Sequence, residues 1–224
     1  MSAVSSKSTD SVHGEPRVSK GQASRDTILR TAATLATTRG LAGLSIGDLA
    51  AAVGMSKSGL YAHFKSKEEL ELATIETAAA MFDREVVQPV TQAPVGTERL
   101  LALVNSFLSY LERRVFPGGC FFAAVAMELD TRPGPTRDRV VEVLNSWRAS
   151  LRQCLLDAQA RREIDPRADV DQAVFEVQAM LFAANFLFVM TNDPLRLTQA
   201  RRGVESVLAR CAVKAKKKRS PQSP

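Results

Sequence analysis

Large apolar residues in this chain recur at spacings of three and four, and no run alternates in twos, so the pattern predicts helices throughout and an all-α fold. The start and stop signals are densest between positions 45 and 67. Ser45 is an N-cap with Asp48 three residues on, a pair able to satisfy two of the orphan backbone donors at a helix start. Ile46, Leu49, Ala50 and Val53 then make one apolar stripe, and Ala50 is small where a second helix must cross closely. Gly54 ends this helix, because glycine enters the left-handed region at little steric cost. Ser56 caps a second, short helix in which Leu60 and Phe64 point inward while Lys57, Ser58, Gly59, Tyr61, Ala62 and His63 face outward. Ser66 and Glu69 form a further capping box that opens a longer helix. The layout is a helix-turn-helix, whose second helix carries the polar, basic and aromatic face suited to the major groove of DNA. A helical hairpin packed inside any all-helical protein is the competing reading of these residues alone.

Downstream the periodicity predicts five more helical stretches. The helix opened by Ser66 runs to about residue 88, where Pro89 and a loop to Gly96 end it. Residues 97–116 carry Leu100, Leu101, Val104, Leu108 and Leu111 on one side, and Pro117-Gly118-Gly119 stops them. Residues 120–129 are almost wholly apolar and must be buried. A long helix over 136–162 is broken by Asp165-Pro166, and two more follow over 168–191 and 194–213.

Charge adds an asymmetry. The net charge of +6 divides into +4 over residues 1–65, −3 over 66–211 and +5 over 212–224. A basic head and tail on a slightly acidic body suit a protein that touches a polyanion with one end. Residues 1–24 are Ser-rich with few large apolar side chains, so they read as an unfolded leader, either inert or carrying Arg17, Lys20 and Arg25 along DNA as a basic arm. The string from Lys214 to Arg219 reads as a solubilising end or as a non-specific contact to DNA, the first being favoured. No export signal is evident, and the apolar stretch 179–190, interrupted by Asn185, is short for a bilayer, so a cytoplasmic protein off the membrane is expected. Cys120, Cys154 and Cys211 fit neither a disulfide framework nor a zinc site, and with His13 and His63 the only histidines no metal or other cofactor is expected.

Residues 25–75 as a block resemble the TetR family of bacterial transcriptional regulators. The likeness rests on Ile28-Leu29-x-x-Ala32-Ala33-x-Leu35 with Arg39-Gly40 after it, on Leu44 to Ser56, and on the unbroken string Leu60-Tyr61-Ala62-His63-Phe64-Lys65-Ser66-Lys67. Gly47 departs from the usual pattern and lowers helix propensity slightly. The resemblance implies that Lys57, Ser58 and Gly59 lie against base edges of a double-stranded operator, that Tyr61 and His63 touch backbone or base, and that Ser45 and Lys67 bind phosphate. It implies a leader over 1–23, a DNA-binding domain over 24–70, an effector-binding and dimerisation domain over 71–213 and a basic tail over 214–224. It also implies a homodimer that releases a palindromic operator when a small molecule binds. The strings Pro117 to Phe122 and Arg132 to Pro135 resemble one subgroup of family bodies without naming the effector.

Candidate lining residues for an effector pocket are Phe107, Phe122, Trp147, Phe182 and Asn185, with Phe121, Met180 and Phe186 also possible, although ordinary core packing accounts for each. Phe175, Ala179, Phe182 and Phe186, with Leu197, Ala200, Val204, Val207, Leu208 and Cys211, form stripes too wide for one core face, so some should meet a second subunit. Cys120 is a small buried hydrophobe or, less expected, a redox sensor. Acid pairs such as Glu128 and Asp130 lack any histidine, nucleophile motif or phosphate-cradling loop beside them, so a solvated or capping role is expected in place of catalysis. An architectural DNA-binding dimer without effector is the alternative function.

Overall fold

The structure, a computed structural model, describes residues 20–213. These form nine α-helices: α1 (Lys20–Arg39), α2 (Ile46–Ala52), α3 (Lys57–Tyr61), α4 (Lys67–Phe82), α5 (Thr97–Glu112), α6 (Phe121–Leu129), α7 (Pro135–Ala160), α8 (Val170–Thr191) and α9 (Leu195–Cys211). No strand forms among the described residues, whose one β-type pairing is the isolated Ile164–Ala212 bridge. Helices α1 to α3 make a head, α4 leads out of it, and α5 to α9 make the body.

Three boundaries differ from expectation. Helix α1 starts at Lys20, inside the segment expected as leader, and its first turns are held by Gln22 Nε2 on Asp26 (2.8 Å) and Thr27 Oγ1 on the Ala23 carbonyl (2.9 Å). Arg17 and the Lys214–Arg219 string lie outside the described residues. The α4 helix stops at Phe82, short of residue 88, and continues as a wide π turn (Asp83–Val87) and a tight 3-10 turn (Gln88–Val90). Pro89 cannot donate to an α-helical ladder, and the Glu85 carbonyl in the widened turn accepts the Ser106 hydroxyl at 3.2 Å. Helix α5 ends at Glu112, four residues early, and Arg114 follows with φ +50°.

The body core is built on aromatic rings. Phe82 at the end of α4 meets Trp147 of α7 edge-on at 5.2 Å and Phe122 of α6 at 6.3 Å, while Phe107 of α5 stacks near Trp147 at 6.1 Å. Helix α9 buries Leu197, Ala200, Val204 and Val207 within the protomer and leaves Leu208 and Cys211 half-buried against the same core, so the buried four need no second subunit to cover them. On α8 the opposite holds, because Phe175, Phe182, Phe186 and Met190 stay exposed while Val174, Val177, Leu181 and Phe188 face the bundle. At 22 residues α8 is by length and composition able to cross a membrane, which the shorter 179–190 stretch had hidden. Its bundle-facing residues supply a second reason for that apolarity.

Candidate nucleic-acid interface and body cavity

The head is assembled by three serine caps. Ser45 Oγ accepts the Asp48 N–H, Ser56 Oγ the Gly59 N–H and Ser66 Oγ the Glu69 N–H, each at 3.0 Å. Between α2 and α3 the chain turns on Gly54 at φ +69°, with the Met55 N–H on the Ala50 carbonyl (2.9 Å) and the Gly54 N–H on that of Ala51 (3.2 Å). This left-handed cap satisfies two orphan carbonyls and reverses the chain so that α3 packs beside α2 with one face left outside. Leu60 and Phe64 are buried, whereas Lys57 and Ser58 are exposed and Tyr61 is 59% exposed. A half-buried His63 sits beside the Phe64 ring. The exposed face therefore carries a cation, a hydroxyl and an aromatic phenol, the donor set that base edges and phosphates accept.

Two glycines in the head have steric reasons that the sequence concealed. A Cβ on Gly47 would stand 3.0 Å from Lys57 Cε, so the bare position on α2 gives the lysine stem its path. A Cβ on Gly59 would lie 3.2 Å from the Ser56 capping oxygen, and the same oxygen is 3.1 Å from Ser58 Oγ. A Cβ at Gly59 would thus crowd the capping oxygen without forbidding the cap, since Ser45 and Ser66 make the same bond to Asp48 and Glu69.

Two expected DNA contacts have internal partners. Arg25 belongs to α1, not to a flexible arm, and its guanidinium lies 4.6 Å over the Phe64 ring and 3.6 Å from Glu69. Cation–π and ionic contacts together fix α1 against the start of α4. Lys67, expected to be free for phosphate, donates to the Ala42 carbonyl at 2.6 Å and pairs with Glu71 at 3.7 Å. Ala42 lies in the loop after α1, so Lys67 ties that loop to the start of α4.

That loop is also where the head meets the body. Glu128, expected in a solvated or capping role, reaches from α6 to accept the Leu41 N–H (2.6 Å) and the Ala42 N–H (2.8 Å) with its two carboxylate oxygens. Gly40, at φ +79°, leaves room for it, since a Cβ there would stand 2.8 Å from Glu128 Oε2. Burial, and then the neighbouring Glu128 charge, push the Glu71 carboxyl up, while Lys67 opposes them. One residue before α6, the Cys120 N–H donates to Asn185 Oδ1 on α8 at 2.7 Å, and the Gly118 N–H donates to the Thr37 hydroxyl of α1 at 3.2 Å. The Pro117-Gly118-Gly119 string is thus a contact between body and head as well as a helix stop. Its glycines were the available signal, but nothing in the sequence said what approached them.

The body holds a cavity of about 450 Å³. The structure places all five main candidates, Phe107, Phe122, Trp147, Phe182 and Asn185, on its wall. Phe121, Met180 and Phe186 are not on it: Phe121 is core, Met180 packs on Gly203 of α9, and Phe186 faces outward. Phe82 and Gln178 line it and were not anticipated. Phe175 and Phe182 rim the cavity from the exposed face of α8. Cys120 also lines it, and burial pushes its thiol up, which disfavours the thiolate that redox sensing needs.

A helix-turn-helix head with an exposed reading face, joined to a helical body with a cavity, defines a DNA-binding transcriptional regulator. Two family models match: residues 28–74 match bacterial regulatory proteins of the tetR family, and residues 96–204 match the tetracyclin repressor-like C-terminal domain. A TetR transcriptional regulator of known crystal structure from Chloroflexus aurantiacus J-10-FL is 31% identical, with TM-score 0.79, over 85% of this chain and 96% of that one. AibR, crystallised with isovaleryl coenzyme A and operator DNA, is 26% identical, with TM-score 0.64, over 80% and 95% of the two chains. The HTH-type regulator Rv1255c of Mycobacterium tuberculosis (strain ATCC 25618 / H37Rv) is 26% identical over 176 residues, which are 71% of this chain and 87% of that one. The chain belongs to the TetR family of bacterial transcriptional regulators.

Proposed function

We propose that the protein is a cytoplasmic homodimeric repressor, without enzymatic activity, that holds a palindromic operator and releases it when a small molecule enters the body cavity. The observation that carries this reading is the continuous set of contacts from cavity wall to head. Helix α6 bears Phe122 in the cavity and Glu128 on the loop after α1, and Asn185 bonds the turn whose Gly118 rests on Thr37. A ligand that displaces α6 or Asn185 moves the head with it. AibR's crystallisation with both a small molecule and operator DNA supports the same division of labour here. The exposed apolar stripe of α8 supports dimerisation, which sets two α3 helices about one DNA turn apart and makes the operator palindromic. Because Phe175 and Phe182 also rim the cavity, a second copy on that face would cover its mouth. Release requires that the effector prefer the dimer arrangement that misfits the operator, since equal binding to both arrangements shifts nothing.

The test is footprinting on DNA upstream of the protein's own gene, followed by titration of cavity ligands against the footprint. A protected palindrome that fades as the ligand rises is the expected result. Glu128→Gln should still take up ligand, read by Trp147 fluorescence, yet release DNA less completely. If no ligand that occupies the cavity alters operator affinity, the protein is a DNA-binding dimer without an effector.

A further inference from the structure

Resting on the reading of the cavity as the effector site, we infer that it selects an uncharged molecule with an apolar, ring-bearing body and a hydrogen-bond acceptor directed at Asn185. None of the sixteen residues lining the cavity carries a charge. An ion taken from water into such a lining would find no partner, a cost that ordinary apolar contacts do not recover. The phosphates of a coenzyme A thioester, the kind of ligand AibR was crystallised with, would have no cation to meet inside this cavity.

The polar groups in the lining are few and lie mainly on one side. Asn185 and Gln178 stand seven residues apart on α8, which puts both on one face of that helix. The rings of Phe82, Phe107, Phe122 and Trp147 come from α4, α5, α6 and α7. A ligand therefore meets rings from α4 to α7 on one side, and on the α8 side the two carboxamides set among Phe175 and Phe182. The two ends of Asn185 are distinguishable, because its Oδ1 accepts the Cys120 N–H at 2.7 Å and its Nδ2 must be the end left over. Asn185 is 7% exposed, and its Nδ2 donates to no protein group among the described residues. A donor so placed on a cavity wall asks for an acceptor, such as a ketone, ester or amide carbonyl.

Trp147 is the single tryptophan in the chain and stands in the wall, so its emission reports occupancy. Three probes of matched shape separate the terms: benzylacetone (a neutral ketone), butylbenzene (no acceptor) and hydrocinnamate (an anion at neutral pH). Each is titrated into the full-length dimer. Benzylacetone should bind roughly three- to tenfold tighter than butylbenzene, the range of one hydrogen bond. It should bind roughly tenfold or more tighter than hydrocinnamate, which must lose its hydration without a counter-ion. In Asn185→Leu the ketone's advantage over butylbenzene should vanish while butylbenzene still binds. Because Asn185 also holds the Cys120 N–H, the melting temperature of this variant is measured alongside, and the three-probe comparison in the parent protein stands without it. Hydrocinnamate binding as tightly as the ketone, or butylbenzene binding as tightly, would overturn this inference and leave the cavity a ligand site. If none of the three perturbs Trp147 up to its solubility limit, the reading of the cavity itself fails.

Discussion

Gly118 lies so close to Thr37 that a Cβ added to it would stand 1.9 Å from the Thr37 carbonyl oxygen, and its N–H donates to the Thr37 hydroxyl across 3.2 Å. The body turn before α6 and the last turns of α1 are therefore in contact at backbone level, with no flexible side chain between them to absorb a shift. Interiors packed this closely transmit displacement instead of damping it.

Gly118→Ala should force the two backbones apart. The expected cost is about 1–3 kcal/mol, the range for overpacking a filled site, seen as a lowered melting temperature. Operator affinity measured well below that temperature should also change, because the head is displaced from its seat on the body. A variant that melts and binds like the parent would show that this contact does not fix the head.

A second long-range cap gives the body a pH dependence. Helix α5 starts at Thr97 after Gly96, which has no side chain to cap it, and Glu163, just past the end of α7, supplies a cap by accepting both the Thr97 N–H and hydroxyl at 2.8 Å. The Thr97 N–H first, and Arg161 after it, hold the Glu163 carboxyl below its ordinary range. A group with a depressed folded pKa contributes in full above its unfolded value, about 4.3 for glutamate, and loses that contribution as the pH falls through the folded value. Glu163→Ala should therefore cost about 1 kcal/mol at neutral pH, the usual worth of an N-cap. In urea titrations its deficit against the parent should shrink below about pH 4. A deficit that stays constant into acid would mean that packing, not the charged cap, is what the mutation removes.

The head was legible in the sequence because its signals are local. Ser45, Gly54, Ser56 and Ser66 each act within a few residues of themselves, and the backbone geometry they dictate is the geometry found. What stayed hidden was every contact made across the fold. Lys67 reads as a free cation until the Ala42 carbonyl, 25 positions away, is brought to it, and Glu128 reads as an acid that is solvated or caps a nearby helix end until the distant Leu41 and Ala42 amides arrive. The stripes on α8 and α9 look alike in sequence, and only packing decides that α9 spends its stripe inside the protomer while α8 keeps a second one outside. The aromatic cavity residues stood out by bulk, yet Gln178, a polar residue on an apolar helix, carried a signal that periodicity passes over.

On the head, Tyr61→Ala should weaken operator binding with the melting temperature unchanged, since the side chain is 59% exposed. Lys57→Ala should cost about 1–3 kcal/mol and relax base preference at one position of each half-site. Lys67→Ala is a different case because it strips the Ala42 carbonyl of a donor and leaves Glu71 without its cation. It should lower the melting temperature as well as weaken all DNA sequences alike. Unchanged stability in that variant would return Lys67 to the role of a simple phosphate contact.

The exposed stripe of α8 offers a way to separate dimerisation from ligand uptake. Phe186 and Met190 are 46% and 70% exposed and neither lines the cavity, unlike Phe175 and Phe182 on the same face. Charges placed on an apolar face that must meet its own copy are repeated on both sides of a two-fold interface, so the repulsion is doubled and no opposite charge is supplied. Phe186→Glu combined with Met190→Glu should therefore give a monomer by sedimentation, with helical content retained because both side chains point away from the core. Operator affinity should fall by roughly a hundredfold or more, since each half-site is then held alone and the gain from linking two heads is lost. A double variant that still sediments as a dimer would place the interface on some other face, and the palindromic spacing would have to be argued afresh from that surface.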